Sequence, residues 1–197
     1  KLIDTVKGRT GHYSQSEGDK ELIEAIIERE KKKNRANLEK EDLVVTQGVN
    51  EGIVFLAATL IEGDGDGALL PGPGYPPYNQ WIKFFGGNVT GYRTDEENDW
   101  EPDLDDIRNK ITDKVKFLAI INPNNPTGAV YSKTALKGLI DIAAEHELVL
   151  VADEIYDEIV FNGAEHFGLA SLSKDTPIIV LNGFSKRYLI PGWRLGY

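Results

Sequence analysis

Three apolar runs constrain this chain more than anything else in it: VKFLAIINP at 115–123, LVLVADE at 148–154 and TPIIVLNG at 176–183. They are short and apolar without alternation, the pattern of strands covered on both faces. Between the first two lies SKTALKGLIDIAAEHE (132–147), with apolar residues at helical spacing and Ser132 in the N-cap position. A strand, a helix and a second strand in that order call for a crossover and a parallel pair. The expected fold class is therefore α/β, a three-layer α/β/α arrangement around a mostly parallel sheet.

The first half extends the alternation. In GDKELIEAIIEREKKKN the residues Leu22, Ile23, Ile26 and Ile27 form an apolar stripe opposite a charged face. LVVTQG (43–48) is a short β-branched run, and VNEGIVFLAATLI (49–61) is apolar nearly all round, which predicts a buried helix. A brief strand and a proline-rich turn follow in GALLPGPGYPPY, then a strand in GNVTGYRT. EPDLDDIRNKI (101–111) predicts an amphipathic helix with Pro102 near its start. No repeat, linker or low-complexity tract divides the 197 residues, so a single domain is expected, with residues 1–40 as a helical lead-in.

Composition narrows the function classes. The chain carries 22 basic and 32 acidic side chains, a net charge of -10, which argues against nucleic acid or an anionic membrane as partner. It has no cysteine, hence no thiolate chemistry, and no apolar run long enough to span a bilayer. The default location is cytoplasmic. The lack of any methionine and the ending WRLGY, which reads as the start of a strand, predict an excerpt or an engineered product.

Ligands of open parallel sheets bind beyond the carboxyl ends of the strands. That rule selects TQGVNEG, LLPGPGYPPY, INPNNPTG, VADEIY and LNGFSK. These segments supply a helix N-terminus after Gly48, suited to an anion, with Tyr75 as an aromatic and Asn125 as an amide. Asp153 is an acid able to hold a proton on a ring nitrogen, Tyr156 a phenol, and Lys186 an amine that in a desolvated pocket condenses with an aldehyde. Phosphate, ring nitrogen and aldehyde together describe pyridoxal 5′-phosphate.

From HYSQSEGDKELIEAI through PGPGYPPY, NPNNPTG and DEIYDEIVF to GFSKRYLIPGWRLGY, the chain resembles the class I and II aminotransferases, fold-type I enzymes dependent on pyridoxal phosphate. The resemblance implies roles by position. Lys186 would form the Schiff base and carry the proton between Cα and C4′, and Asp153 would keep the pyridinium nitrogen protonated. Asn125 and Tyr156 would bond the ring's phenolic oxygen, and Tyr75 would stack on the ring. Val49, Asn50 and Glu51 would cradle the phosphate through backbone N–H groups, with Arg194 as its cationic partner. Tyr13 would reach the phosphate of a neighbouring subunit, making the active unit a homodimer. The substrates implied are an L-amino acid (alanine, aspartate or an aromatic one) and a 2-oxo acid.

Departures from the family pattern bear on single residues. Gly183 stands where many relatives have a phosphate-binding serine, which leaves Ser185 as the candidate. IEGDGDGALLP is one residue longer than the usual turn, and the Glu51 carboxylate must point away from a phosphate. The resemblance also implies a seventh, antiparallel strand entering after GWRLG and a small domain beyond it, with the arginine that grips the substrate carboxylate; both are expected outside this chain. A β-lyase with the same cofactor and a non-catalytic scaffold stand as alternatives. GDGDG (63–67) reads as a turn, NVT (88–90) and SLSK (171–174) as chance matches, and TDEENDWEPDLDD as a solvated face. His12, His146 and His166 lack metal-ligand spacing, and no metal is expected.

Overall fold

The computed structural model describes residues 13–34 and 37–197; His12 and the rest of the lead-in's first residues lie outside them. Helix α1 (Lys20–Lys33) buries Ile23 and Ile26 and ends on Lys31, Lys32 and Lys33, which suit the negative end of its dipole. Helix α2 (Val49–Leu60) follows, then β1 (Gly67–Gly72), α3 (Pro76–Phe84), β2 (Asn88–Asp95), β3 (Glu101–Pro102) and α4 (Leu104–Lys110). The remaining elements are β4 (Val115–Ile121), α5 (Lys133–Glu145), β5 (Val149–Asp153) and β6 (Ile178–Leu181).

The six strands form one sheet in the order β3-β2-β1-β4-β5-β6. Every pairing is parallel except β2 with β3. Along β4, Phe117, Ala119 and Ile121 face α2 and α3 with Tyr78 and Ile82, whereas Leu118 and Ile120 face α4 and α5 with Ile107, Leu136 and Leu139. Covered faces on both sides make the three layers, and they explain why β4 reads as a continuous apolar run. The Ser132 hydroxyl caps α5 by accepting from Ala135 N at 3.1 Å.

Four local expectations are corrected. Pro102 lies in β3 rather than in a helix, and the N-cap of α4 is Asp103, whose carboxylate accepts from the N–H groups of Asp105 and Asp106. Residues 43–48 form no strand; Thr46 alone bridges, to Gly196. Helix α2 is not buried all round, since Phe55 is 47% exposed and Thr59 faces outward. The stretch 94–106 is only partly a solvated face, because Thr94 and Pro102 within it are buried.

Residues 195–197 run antiparallel to 182–184, with Asn182 and Tyr197 exchanging both backbone hydrogen bonds at 2.9 Å. Gly196 fits there because an added Cβ would lie 2.7 Å from Val49 N. The chain's last residues are thus stitched between the end of β6 and the start of α2.

Candidate active site

The strand order reverses direction between β1 and β4, since β1 leads outward to β2 and β4 leads the other way to β5 and β6. Loops beyond the two neighbouring carboxyl ends must diverge there, which opens a crevice. A cavity of about 200 Å³ lies there, lined by Val49, Asn50, Tyr75, Asn125, Asp153, Tyr156, Ser185, Lys186 and Arg194, with Ile121, Ile155 and Pro191 supplying apolar wall. Of the residues singled out from the sequence, nine converge on this cavity and two, Glu51 and Tyr13, do not line it.

At one end is the N-terminus of α2. Gly48 holds φ at 77°, a conformation that lets the chain turn sharply into the helix. A side chain on Gly48 would collide with the Arg194 guanidinium, which lies against it. Arg194 is itself left-handed (φ 49°) and its Nη1 donates to Pro191 O at 2.8 Å. A guanidinium and open helix N–H groups therefore share one end of the cavity, a combination that binds anions. The Asn50 side chain is engaged elsewhere, accepting from Trp81 Nε1 at 3.3 Å. Glu51 turns its carboxylate back to accept from Gln47 N at 2.6 Å, away from that anion site, and its own N–H is bonded to Gly48 O.

Asp153 ends β5 and is 3% exposed. Burial pushes its carboxyl up to about 6, against the lowering effect of Ile155 N and the Tyr78 hydroxyl. Those two donors lie at 3.2 Å, one on each carboxylate oxygen. No cation pairs with Asp153 among the described residues. A buried acid with donors but no counter-charge is suited to a ligand that brings a cationic N–H.

Lys186 is exposed rather than desolvated, and its Nζ lies 5.4 Å from the centroid of the Tyr156 ring. Tyr75 is the N-cap residue of α3 and packs partly against the core. Asn125 lines the cavity next to the buried Asn124, whose side-chain oxygen accepts from Thr127. The Asn125 amide makes no hydrogen bond among the described residues. Tyr13 is fully exposed and does not line the cavity.

Tyr78 is the residue the sequence undersold. It reads as packing beside prolines, yet its hydroxyl is the side-chain partner of Asp153. The available signal was a polar aromatic four residues before Ile82 on the buried face of an amphipathic helix, where a hydroxyl must find a partner. Asp66 closes the GDGDG turn by accepting from Glu62 N at 3.0 Å, and no cluster able to hold a metal occurs among the described residues. His166 sets one ring nitrogen, Nε2, 3.1 Å from Asn122 O, and burial lowers its pKa.

Comparison with known proteins gives the geometry a family. The description "Aminotransferase class I and II" matches residues 3–197. The chain is 42% identical to the glutamate-pyruvate aminotransferase AlaA of Escherichia coli K12 over 198 aligned positions, covering 100% of itself and 49% of that protein. It is 39% identical to the alanine aminotransferase of Mycobacterium tuberculosis, covering 94% of itself and 43% of that enzyme. Among solved structures, the alanine aminotransferase of Pyrococcus furiosus superposes with a TM-score of 0.94 at 49% identity, over 98% of this chain and 49% of that one. The chain therefore spans about half the length of these relatives.

Proposed function

The chain belongs to the class I and II aminotransferases, and from that premise we propose that it is the cofactor-binding domain of an enzyme moving an amino group between an L-amino acid and a 2-oxo acid. The observation that carries the proposal is Asp153, a buried acid with no cation paired to it among the described residues, lining a cavity whose other end is cationic.

The residues fit pyridoxal 5′-phosphate. Arg194 and the N–H groups of Val49 and Asn50 would hold its phosphate. Asp153 would accept a hydrogen bond from its ring nitrogen, Tyr75 would pack against its ring, and Asn125 and Tyr156 would donate to its phenolic oxygen. Ser185 lines the same cavity and is a further phosphate donor. When bound, the cofactor supplies an aldehyde that condenses with amines and a ring that accepts electrons. Lys186 would be the amine for that condensation and the base that carries a proton between the substrate Cα and C4′. Ile121, Ile155 and Pro191 limit water along one wall.

Glutamate with pyruvate as acceptor, and alanine with the 2-oxo acid of glutamate as acceptor, are the substrates to try first, because several of the relatives carry those names. Residues 1–197 make one domain in this reading, the homodimer is the working unit with Tyr13 serving the neighbour's phosphate, and the location is cytoplasmic. No helix among the described residues is long and apolar enough to cross a membrane.

The deciding experiment is a visible spectrum of the chain with added pyridoxal phosphate, beside Lys186→Ala, followed by L-alanine and then L-glutamate. A band that needs Lys186 and bleaches with an amino acid supports the proposal. Pyruvate released beyond one equivalent per chain from an amino acid with a β leaving group, with no acceptor present, would point to a β-lyase, and a band indifferent to amino acids to a scaffold that only binds. Identical spectra from both proteins would overturn the assignment of Lys186.

A further inference from the structure

The segment that bears Lys186 is held from one side by a single turn of chain. Asp157 and Asn182 are both buried, and Asn182 Nδ2 donates to Asp157 Oδ2 at 3.0 Å. The other end of the same amide, Asn182 Oδ1, accepts from Gly183 N at 2.7 Å. Beyond Lys186, the Arg187 guanidinium pairs with Glu158 Oε1 at 2.7 Å. Residues 157 and 158 thus grip the chain on both sides of Lys186, and their neighbour Tyr156 lies beneath its amine.

The grip is anchored in turn by α1. Arg29 Nη2 and Lys33 Nζ reach Asp157 Oδ2 at 2.6 and 2.9 Å, so one carboxylate oxygen takes three donors. Burial raises the Asp157 carboxyl, but Lys33 and Arg29 outweigh it and hold it below the usual aspartate range. Stability alone is a poor reason for such a cluster. A buried ion pair commonly adds little over an apolar replacement of the same shape, and its best-attested use is to fix register.

We infer that Asp157 is a positioning residue for Lys186: through Asn182 it fixes the backbone at Gly183 from which the lysine projects toward the cavity. The inference rests on the role proposed above for Lys186. Asp157 touches no reacting atom in this scheme, and its effect passes wholly through Asn182 and the 182–187 backbone.

The test is hydrogen exchange by mass spectrometry on the ligand-free chain, with Asp157→Ala and Asn182→Ala beside the unmodified protein, and then the rate at which pyridoxal phosphate reacts with Lys186 in each. Exchange in peptides spanning 182–187 should quicken about tenfold, the equivalent of one lost hydrogen bond, with peptides of β4 and β5 unchanged. The reaction rate at Lys186 should fall in the same two variants. Asn182→Ala leaves Asp157 paired with Arg29 and Lys33, so it carries the same prediction should Asp157→Ala fail to fold. Unchanged exchange at 182–187, faster exchange everywhere, or faster local exchange with an unchanged reaction rate would each overturn the inference. If the unmodified chain does not react at all, the role of Lys186 fails, and the exchange pattern still decides whether Asp157 sets its backbone.

Discussion

The Tyr78 hydroxyl donates to Asp153 Oδ2 at 3.2 Å, and both side chains are sealed from solvent. Burial and the neighbouring Asp153 push the Tyr78 phenol well above its ordinary pKa, so it remains a donor throughout the working range. Tyr78 therefore helps to keep a solvent-free carboxylate ionised, a task opposed by burial.

Tyr78→Phe should remove that help. Losing one hydrogen bond to a charged group is worth about 1.5 kcal/mol, or roughly one pKa unit on Asp153. Titrating the chain with pyridoxal phosphate across pH 5–8 should show the acid limb of binding moved up by about one unit. An unmoved limb would separate Tyr78 from the function of Asp153.

Asp153→Asn should make the ligand-free chain more stable while abolishing productive cofactor binding. The folded-state pKa of about 6 lies above the ordinary 3.8, so the folded protein binds the extra proton between those values. Stability is then fully present below pH 4 and falls as pH rises through 6. The variant should lose that slope, and thermal melts at pH 4 and pH 7 check it.

Glu154→Gln tests the adjacent buried acid, whose carboxyl burial raises to about 8. Its Oε1 accepts from Leu169 N at 2.7 Å, and Oε2 is buried without a partner among the described residues. The sign is the same as for Asp153: stability declines as pH climbs from about 4.5 through 8. Glutamine keeps the acceptor and cannot ionise, so the variant should match the unmodified chain below about pH 4 and melt several degrees higher at pH 9.

Arg194→Gln and Gly48→Ala should both damage the anion end of the cavity. Arginine removal costs about 1.5–3 kcal/mol of charge-assisted bonding, roughly a tenfold to hundredfold loss of affinity for pyridoxal phosphate. Unphosphorylated pyridoxal should bind both variants as it binds the original. Gly48→Ala also strains a backbone at φ 77°, so its melting temperature should drop too. Equal losses for both ligands would mean that the phosphate does not bind there.

Much of this was legible in one dimension. β4, α5 and β5 follow from apolar runs and helical spacing, and Ser132 as a cap follows from its place before the stripe. The rule about strand ends picked Tyr75, Asn125, Asp153, Tyr156 and Lys186, the family resemblance added Val49, Asn50, Ser185 and Arg194, and all nine line one cavity. Local pattern misled where a surface is apolar for reasons beyond the local helix. Helix α2 reads as wholly buried, yet Phe55 faces an apolar groove it shares with Leu43 and Ile179.

What the sequence determined by itself is the α/β class, the parallel sheet and the family, because periodicity, capping and short motifs are properties of neighbouring residues. Only the tertiary structure decided that Tyr78 serves Asp153, that Glu51 turns away from the anion site, and that Arg29, Asp157 and Asn182 form one chain of contacts reaching Gly183. Arg29 and Asp157 stand 128 residues apart. Hydrogen bonds between such residues depend on distances set by packing, and no local pattern encodes those distances.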